Sequence, residues 1–397
     1  MMKTKLKTWG KLILLLIFIL LTFSYAMFQG GFVSWFLFFS FVPFALYALC
    51  IAFYPLGDLV IDRTFNKDTY LAGEHLNVVI KINRKYSFPL FFLIIKNTSS
   101  LSKENGKQII FPGFKKHIQI EYSMPNLPRG EHHFDKIYVK IGDPIGLFEK
   151  EKEYLLEKSI LVYPAFSDII YRSFESRYEQ GATASQIKIQ NDTSMVAGIR
   201  NYEPGDRFTW IDWKATARIN EMKTKEFEER QSNDVSIILD RSPSSSFEEC
   251  VKFSASIIRT IIQHGGQIGF YSIGQERTIF PIRGGEEYRQ QLFHHLAKVK
   301  ADSNVHISSI LDGESAFYQR SASLLIITSN LTQALVDMVR KHVQRTGTVI
   351  IFVVKNDNEP FLDDEYQLSS IATRYGVFVN FLHEKDFRSA LTGVKQR

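Results

Sequence analysis

Residues 12–54 read LILLLIFILLTFSYAMF, then QGG, then FVSWFLFFSFVPFALYALCIAFY, so two apolar stretches stand side by side near the start of the chain. Neither stretch, Leu12–Phe28 or Phe32–Tyr54, contains a charged side chain. A helix needs about 20 mostly apolar residues to cross a bilayer core of about 30 Å, and both stretches are long enough. The connection Gln29-Gly30-Gly31 leaves room only for a tight turn. The sequence therefore predicts a transmembrane helical hairpin over residues 1–55.

The lysines near the N-terminus predict the orientation of this hairpin. They all precede the first apolar stretch, at Lys3, Lys5, Lys7 and Lys11, and the connection contains none. Positive charge favours the cytoplasmic side, so we expect a multi-pass protein of the cell membrane with its body in the cytoplasm. A secretory signal cleaved near Ser24-Tyr25-Ala26 is the alternative for the first stretch. The second stretch would then still deliver the body to the cytoplasm.

Composition and charge restrict the classes of partner. The formal net charge is +6, with acidic and basic residues interspersed, which predicts a weak attraction to anionic membrane lipid. No basic stripe with interleaved aromatic residues is present, so we do not expect nucleic-acid binding. No Cys/His cluster has the spacing of a zinc site. Cys50 and Cys250 are not expected to form a disulfide, as is usual in a reducing compartment.

Residues 56–165 have the pattern of antiparallel strands. Apolar and polar residues alternate over Leu76–Asn83 and again over His133–Ile141, where His133 and Asp135 would share a face with Ile137. The apolar runs Phe91–Ile95 and Ile109–Phe111 are expected on inner faces. The pattern predicts a β-sandwich domain that serves as a spacer or adaptor.

After a connecting segment at residues 166–233, residues 234–397 alternate short apolar strands with helix-period segments. Strands are predicted at Val235–Leu239, Gln267–Ser272, Leu324–Thr328, Val349–Val354 and Val377–Asn380. Helices are predicted at Phe247–Ile262, Glu287–Val299, Thr332–Gln344 and Lys385–Thr392. This order predicts an α/β domain with a mostly parallel sheet covered on both faces. Such sheets place their sites at the carboxyl ends of strands, here the loops after Leu239 and Thr328.

The first of these loops has a metal-site spacing. Asp240, Ser242 and Ser244 stand at alternate positions and could supply the oxygen ligands that Mg²⁺ prefers. The spacing resembles the metal-ion-dependent adhesion site of von Willebrand factor A domains, which a threonine and a second aspartate complete. Here Glu286 and Ser329 stand where those residues are expected, so the site is degenerate. The alternative is that Asp240 and the serines cap the following helix.

The connecting segment contains the most distinctive block of the chain. Residues 198–218 read GIRNYEPGDRFTWIDWKATAR, in which Glu203-Pro204-Gly205-Asp206 predicts a turn and Asp206 is placed to cap a short helix. Trp213 would share an inward face with Trp210, so Asp206→Ala and Trp213→Ala are both expected to impair folding. The block lacks a histidine, so a network of charge-assisted hydrogen bonds or a recognition surface is favoured over a catalytic centre. The residues proposed for this role are Arg200, Tyr202, Gly205, Asp206, Arg207, Asp212, Trp213, Lys214 and Arg218.

The block resembles the hallmark of the bacterial domain-of-unknown-function family 58, with its Arg-x-Tyr-x-x-Gly-Asp segment and the Ile-Asp-Trp-Lys-Ala-Thr-Ala-Arg run after it. Residues 142–148 (GDPIGLF) and 161–164 (LVYP) agree with the resemblance. It implies a von Willebrand factor A-like α/β domain and a membrane-bound partner of a MoxR-type AAA+ ATPase, sometimes with a membrane transglutaminase-like protein. It implies no enzymatic activity and no cofactor beyond the Mg²⁺ considered above.

Three functions are therefore compared. The first is a non-enzymatic, membrane-anchored interaction or scaffold protein that assists a MoxR-type AAA+ ATPase in the assembly or maturation of protein complexes. The second is a metal-dependent hydrolase that uses Asp240 with Asp206 or Asp212. The third is a cell-envelope scaffold with no ATPase partner. Catalytic sites usually gather a recognisable acid and base, which this sequence does not show, so the first is preferred.

Overall fold

The computed structural model describes residues 2–101, 107–171, 196–203, 206, 208–227, 234–304, 307, 323–343 and 348–392. The chain divides into two compact units, Met1–Tyr163 and Pro164–Arg397. The first contains the apolar N-terminal helices and a set of antiparallel strands. The second contains a larger mixed sheet with helices.

Two long helices open the first unit, α1 (Met2–Gln29) and α2 (Phe32–Phe53). Gly30 joins them with φ of +61°, a left-handed conformation that favours glycine. Rings of Phe18 and Phe41 meet edge-on at 5.0 Å between the two helices. Both helices contain a segment long and apolar enough to cross a membrane, Trp9–Gln29 and Phe32–Phe53.

Eight strands follow the helices and form two sheets. The strands are β1 (Val60–Phe65), β2 (Tyr70–Leu71), β3 (Leu76–Asn83), β4 (Phe92–Ser99), β5 (Lys107–Ile110), β6 (His117–Met124), β7 (Gly130–Gly142) and β8 (Glu149–Tyr163). One sheet has the order β1-β3-β6 and the other β2-β8-β7-β4-β5. Alternate apolar side chains of both sheets share one buried cluster, as expected where two sheets pack face to face.

Two sequence expectations about these strands are wrong. The pairing of β7 with β8 shifts between Phe134 and Lys136, so Phe134 and Ile137 are both buried while His133 and Asp135 are exposed. A bulge of this kind changes which residues face the core. Ile109 and Phe111, predicted on an inner face, are 56% and 72% exposed at the sheet edge formed by β5.

The helices and the strands share one apolar core. Ala48, Ile51 and Tyr54 of the second helical segment are buried in the same cluster as the strand residues. Only a short 3₁₀ turn, Leu56–Asp58, separates α2 from β1. Lys150 Nζ also donates to the carbonyl of Tyr54 at 3.0 Å. The helical pair and the strands therefore form a single packed body.

The second unit begins with a small hairpin and a short helix. Strands β9 (Val196–Asn201) and β10 (Lys223–Phe227) pair antiparallel, and α3 (Trp213–Ile219) lies in the sequence between them. A 3₁₀ turn at Phe208–Trp210 precedes α3.

A six-stranded sheet makes up the rest of this unit. Its strands are β11 (Val235–Asp240), β12 (Ile268–Ile273), β13 (Arg277–Arg283), β14 (Ser323–Thr328), β15 (Thr348–Val354) and β16 (Val377–Leu382). The order is β13-β12-β11-β14-β15-β16, and every pair is parallel except β12 with β13. Numbered from β11, this is the 3-2-1-4-5-6 order of doubly wound sheets.

Helices connect these strands: α4 (Phe247–Gln263), α5 (Glu286–Lys298), α6 (Gln333–Val343) and α7 (Asp363–Arg374). The face of α4 that carries Phe247, Val251, Ala255 and Ile258 is buried, as its spacing predicts. Strand β13 and helix α7 were not predicted. The last predicted helix, Lys385–Thr392, is a 3₁₀ segment at Glu384–Ser389.

Candidate functional site

The first candidate site lies where β11 and β14 end side by side. The chain leaves β11 for β12 on one side and reaches β14 on the other, so this is the point at which the strand order reverses. In doubly wound sheets the crevice at the carboxyl ends of such strands is the usual position of a ligand. Asp240 ends β11 and Thr328 ends β14.

Asp240 is 8% exposed and its two carboxylate oxygens have different partners. Oδ1 accepts hydrogen bonds from the backbone N–H of Ser242 at 3.0 Å and from the Ser242 hydroxyl at 2.7 Å. Oδ2 accepts one from Thr328 Oγ1 at 2.8 Å. The carboxylate therefore closes its own loop and joins two neighbouring strands. Thr328 was predicted only as the end of a strand, and its hydroxyl is the functional group that the sequence did not single out.

The helix-capping alternative is wrong for Asp240. Helix α4 begins at Phe247, and its N-cap residue is Ser246, whose own side chain makes no capping hydrogen bond. Ser244 instead accepts a hydrogen bond from the N–H of Ser246 at 3.1 Å. The carboxylate of Asp240 is used within the loop and across the sheet.

The residues of this loop fit a Mg²⁺ ion poorly. Magnesium demands nearly octahedral oxygen coordination. The three predicted ligands offer one carboxylate, and that carboxylate already accepts three hydrogen bonds, while the Ser244 oxygen accepts another. Among the described residues no group of three or more His, Cys, Asp or Glu side chains could hold a metal. Binding at Asp240, Ser242 and Ser244 stays a prediction, tested below.

Glu286 does not lie near Asp240, contrary to the expectation that it takes the place of the metal-site threonine. Because β13 runs antiparallel to β12, Arg283 pairs with Ile268 at the amino end of β12. Asp240 pairs with Ile273 at the opposite end of the same strand. At about 3.3 Å a residue, roughly 16 Å of sheet separates the two ends. Glu286 instead pairs with Arg289 in its own helix.

Arg241 anchors the loop to the rest of the carboxyl edge. Its side chain is 8% exposed, and Nη2 lies 2.6 Å from Oδ2 of Asp302. Nε donates to the carbonyl of Lys300 at 2.9 Å, and the backbone carbonyl of Arg241 accepts from the N–H of Ser303 at 3.1 Å. The segment after α5, not the one before it, is therefore the second loop at this edge.

An acidic cleft of about 570 Å³ lies beside this loop. It is lined by Ser245, Glu249, Asn356, Asp357, Asn358, Glu359, Pro360 and Glu384. Glu359 Oε2 accepts from the hydroxyls of Ser245 and Ser246 at 2.9 and 2.6 Å, and the Ser246 bond is the main cause of the lowered pKa of Glu359. Burial, followed by repulsion from Glu384, raises the pKa of Glu249.

The second candidate site is the signature block of β9, β10 and α3. Arg200 Nη2 lies 2.6 Å from Oδ1 of Asp206, and this hydrogen bond is the main cause of the lowered pKa of Asp206. Oδ2 of Asp206 accepts from the N–H of Glu203 at 3.1 Å. These contacts hold the carboxylate of Asp206 against Arg200 and the backbone of Glu203. Pro204, in the middle of the predicted turn, lies outside the described residues. Gly205 and Arg207, two of the predicted recognition residues, lie outside the described residues.

Asp212, not Asp206, caps the helix of this block. Its Oδ1 accepts from the N–H groups of Lys214 and Ala215, each at 3.0 Å, at the start of α3. Asp206 lies before the intervening 3₁₀ turn and is used by Arg200. The sequence correctly predicted that an aspartate caps this helix, but the prediction named Asp206 instead of Asp212 because both residues precede a helical segment.

The tryptophan of the block does not pack inward as predicted. Trp213 is 64% exposed, and α3 contains no buried residue among those described. Phe208 is 70% exposed and its ring stacks on Tyr202 at 6.5 Å between centroids. The signature surface, which we define as the exposed apolar residues of this block, consists of Ile199, Phe208, Trp213, Ile219 and Met222. Lys214 and Arg218 are exposed on the same helix.

The chain combines two helices able to cross a membrane, a packed β-domain and a mixed α/β sheet. These features define a class of two-unit protein with a charged signature block. The family described as "protein of unknown function DUF58" matches residues 198–393. The uncharacterized protein YeaD of Bacillus subtilis (strain 168) is 38% identical over 353 residues, which is 87% of this chain and 88% of YeaD. The chain belongs to the DUF58 family.

Similarity to solved structures is distant. A CARDB domain from Pyrococcus furiosus is 9% identical with a TM-score of 0.21, and covers 26% of this chain and 92% of its own. Proximal thread matrix protein 1 of the mussel byssus is 15% identical with a TM-score of 0.28, and covers 40% of this chain and 46% of its own.

Proposed function

We propose that this protein is a non-enzymatic, membrane-anchored interaction protein. In this proposal the two apolar helices cross the cell membrane as a hairpin, and both units stand in the cytoplasm. A MoxR-type AAA+ ATPase, the partner implied by the family resemblance, docks on the signature surface during the assembly or maturation of other complexes. A membrane transglutaminase-like protein is a second candidate partner.

The exposure of the signature surface carries this proposal. Large apolar side chains such as Phe208 and Trp213 stand in solvent on a short, hydrogen-bonded element. Aromatic and arginine side chains are common anchors of protein interfaces, and clustered exposed apolar residues mark interaction sites. The internal bonds of Arg200 and Asp212 hold the element in shape, so its aromatic residues need little ordering when a partner binds.

The strand order supports the hypothesis that the second unit has a von Willebrand factor A-like fold. The sheet has the 3-2-1-4-5-6 order with β13 antiparallel, and Asp240 with Ser242 and Ser244 lies at its reversal point. We infer that the loop of Asp240 has become a hydrogen-bonded structural feature in this protein. The hydrolase alternative has less support, because Asp206, Asp212 and Asp240 each accept bonds from their own loop or strand partners.

A co-purification from detergent extract tests the partner. The full chain with a C-terminal tag is compared with Phe208→Ala/Trp213→Ala and with the control Leu362→Ala, a substitution at an apolar residue that is 57% exposed elsewhere in the same unit. We expect the wild type and Leu362→Ala to retain a AAA+ ATPase and the double variant to lose it. Failure of the wild type to retain an ATPase would overturn the partner and favour the envelope scaffold.

The topology has its own test. A tag at the C-terminus should be protected from protease in intact cells and cleaved after the membrane is permeabilised. Cleavage in intact cells would place the body outside and remove any contact with a cytoplasmic ATPase.

A further inference from the structure

The segment Phe88–Phe91 of the β-domain lies against α2 at the level of the apolar stretch. Tyr47 Oη, within α2, donates to the carbonyl of Pro89 at 2.9 Å and accepts from the N–H of Phe91 at 2.9 Å. The Tyr47 ring also stacks on Phe88 at 5.6 Å. Tyr47 lies six residues before the end of α2 at Phe53, or about 9 Å along a helix. The chain at Phe88–Phe91 therefore reaches the part of α2 that would lie within the membrane boundary.

The same end of the β-domain exposes a run of large apolar side chains. Phe91, Ile109, Phe111 and Phe114 are 54%, 56%, 72% and 69% exposed. Rings of Phe91 and Phe111 meet edge-on at 6.2 Å, and Leu90 bridges to Gly113, so the two segments are neighbours. Their sequence pattern resembles a core strand, yet water would surround them in a soluble domain. Exposed apolar clusters of this kind mark surfaces that something else covers.

Arg84 holds both segments in place. Its side chain is buried at 4% exposure and donates to three carbonyls, those of Phe88 at 3.0 Å, Gly113 at 3.0 Å and Lys115 at 2.8 Å. One guanidinium therefore fixes the segment that contacts α2 to the segment that carries Phe111 and Phe114. The apolar side chains are presented by a fixed backbone.

Basic and amphipathic side chains accompany the apolar ones. Lys85, Tyr86, Lys115 and Lys116 are exposed in the same two segments. Lysine and tyrosine side chains beside apolar groups that enter lipid are typical of the membrane–water interface, where the lysine ammonium reaches the headgroups. On the α1 side, Lys11 Nζ donates to the carbonyl of Leu147 at 2.7 Å, and nearby Ile145 is 65% exposed. A second loop thus meets the helical pair near its membrane boundary.

We propose that the interfacial patch, defined as Lys85, Tyr86, Phe91, Ile109, Phe111, Phe114, Lys115 and Lys116, is a lipid-contact surface of the β-domain. Phe91, Phe111 and Phe114 enter the acyl boundary of the bilayer that the helices cross, and the lysines face anionic headgroups. The occupant is the membrane because the patch is continuous with α2 through Tyr47. The inference rests on the membrane anchoring proposed above.

Site-directed spin labelling of the full chain tests the patch. The protein is reconstituted in vesicles of phosphatidylglycerol and phosphatidylcholine and labelled at one position at a time. Cys50, exposed within α2, reports the anchor. Phe111→Cys and Phe114→Cys, each with Cys50→Ala, report the patch, and buried Cys250 stays unlabelled.

Asp68→Cys is the matched control. Asp68 is exposed in the turn after β1, whereas Asn83, at the other end of the sheet, pairs with Val60 directly after the helices. At about 3.3 Å a residue, roughly 16 Å of strand separates Val60, which follows the helices, from Phe65, and the turn with Asp68 lies beyond Phe65.

The accessibility of each spin label to oxygen, which concentrates in lipid, is compared with its accessibility to a water-soluble nickel chelate. We expect labels at positions 50, 111 and 114 to lose access to nickel and keep access to oxygen, and the label at position 68 to show the reverse. If position 50 is in lipid while positions 111 and 114 are as open to nickel as position 68, the patch proposal is overturned and the anchor stands. Exposure of position 50 to nickel would overturn both. Shielding of positions 111 and 114 from both reagents would indicate a protein contact and overturn the lipid assignment.

Discussion

Thr328 Oγ1 donates a 2.8 Å hydrogen bond to Asp240 Oδ2 and so joins two strand ends that lie 88 residues apart in the sequence. Both residues are largely buried, at 0% and 8% exposure. The contact lies where the strand order of the sheet reverses, the position that most often holds a ligand in related sheets. Here the carboxylate is satisfied by the protein itself.

Loss of this bond should destabilise the second unit. Thr328→Val removes the hydroxyl and leaves one oxygen of a buried carboxylate without its donor, which should cost about 1–3 kcal/mol of unfolding free energy. Thr348→Val is the control, because Thr348 lies at the amino end of the neighbouring strand. Urea unfolding of both variants measures the difference. Equal midpoints would mean that the Asp240 contact contributes nothing.

Addition of Mg²⁺ should leave the thermal midpoint of the wild type unchanged, because the Asp240 and Ser244 oxygens already accept hydrogen bonds. A ligand that binds only the folded state would raise the midpoint with its concentration. Calorimetric scans with and without Mg²⁺ or Mn²⁺ decide the point. Stabilisation that disappears in Asp240→Asn would establish the degenerate metal site that the sequence suggested.

Arg63 should be among the most sensitive positions of the first unit. It is 1% exposed and donates to Asn97 Oδ1 and the Phe134 carbonyl at 2.7 Å each, and to the Leu156 carbonyl. Burial lowers its pKa, and no carboxylate contacts it among the described hydrogen bonds. Arg63→Ala leaves these acceptors without their donor and opens a cavity in the core, so it should cost about 3–5 kcal/mol of unfolding free energy. Lys81→Ala, at an exposed position of the adjacent strand, should stay within about 0.5 kcal/mol in the same denaturation series.

Glu249 should make stability depend on pH in the acidic range. Burial raises the pKa of its carboxyl above the unfolded value, so the folded state holds the proton more tightly. The folded state therefore loses stability as pH rises from the unfolded pKa to the folded pKa. Glu249→Gln should therefore stabilise the protein at pH 7 and have little effect near pH 4. Thermal midpoints at both values measure this, with exposed Glu248→Gln as the control. A gain of equal size at both pH values would show that the charge is not its cause.

The signature block should respond differently at two adjacent positions. Asp212→Ala removes the cap of α3 and should cost about 1 kcal/mol of stability. Trp213→Ala, at a residue that is 64% exposed, should stay within about 0.5 kcal/mol, contrary to the sequence-based expectation. Chemical unfolding of the two single variants compares them directly. A large loss in Trp213→Ala would return this ring to a structural role.

The sequence predicted the parts of the fold that local pattern controls. The helical pair, the parallel strands and the buried face of α4 follow from runs and spacings of apolar residues, and the meeting of the loops after Leu239 and Thr328 follows from strand direction. Strand β13 was missed because it alternates exposed and half-buried residues and turns back beside β12. That reversal is what carries Glu286 away from Asp240.

Other errors arose where distant parts of the chain decide the outcome. The shift between Phe134 and Lys136 depends on the pairing with β8, which a single strand's pattern does not contain. Ile109–Phe111 resembles a core strand because its residues are apolar. In the structure Ile109 and Phe111 are exposed at the sheet edge formed by β5. Apolar composition predicts removal from water, but not whether protein or lipid provides the cover.

The 3₁₀ turn at Leu56–Asp58 and the shared core leave no flexible linker between the apolar helices and the strands of the first unit. The helices and the β-domain therefore move together as one rigid body. If the helices cross the bilayer as proposed, a change in bilayer thickness that tilts them would tilt the β-domain by the same angle. A protein that binds the β-domain would then meet it at a fixed height above the lipid headgroups.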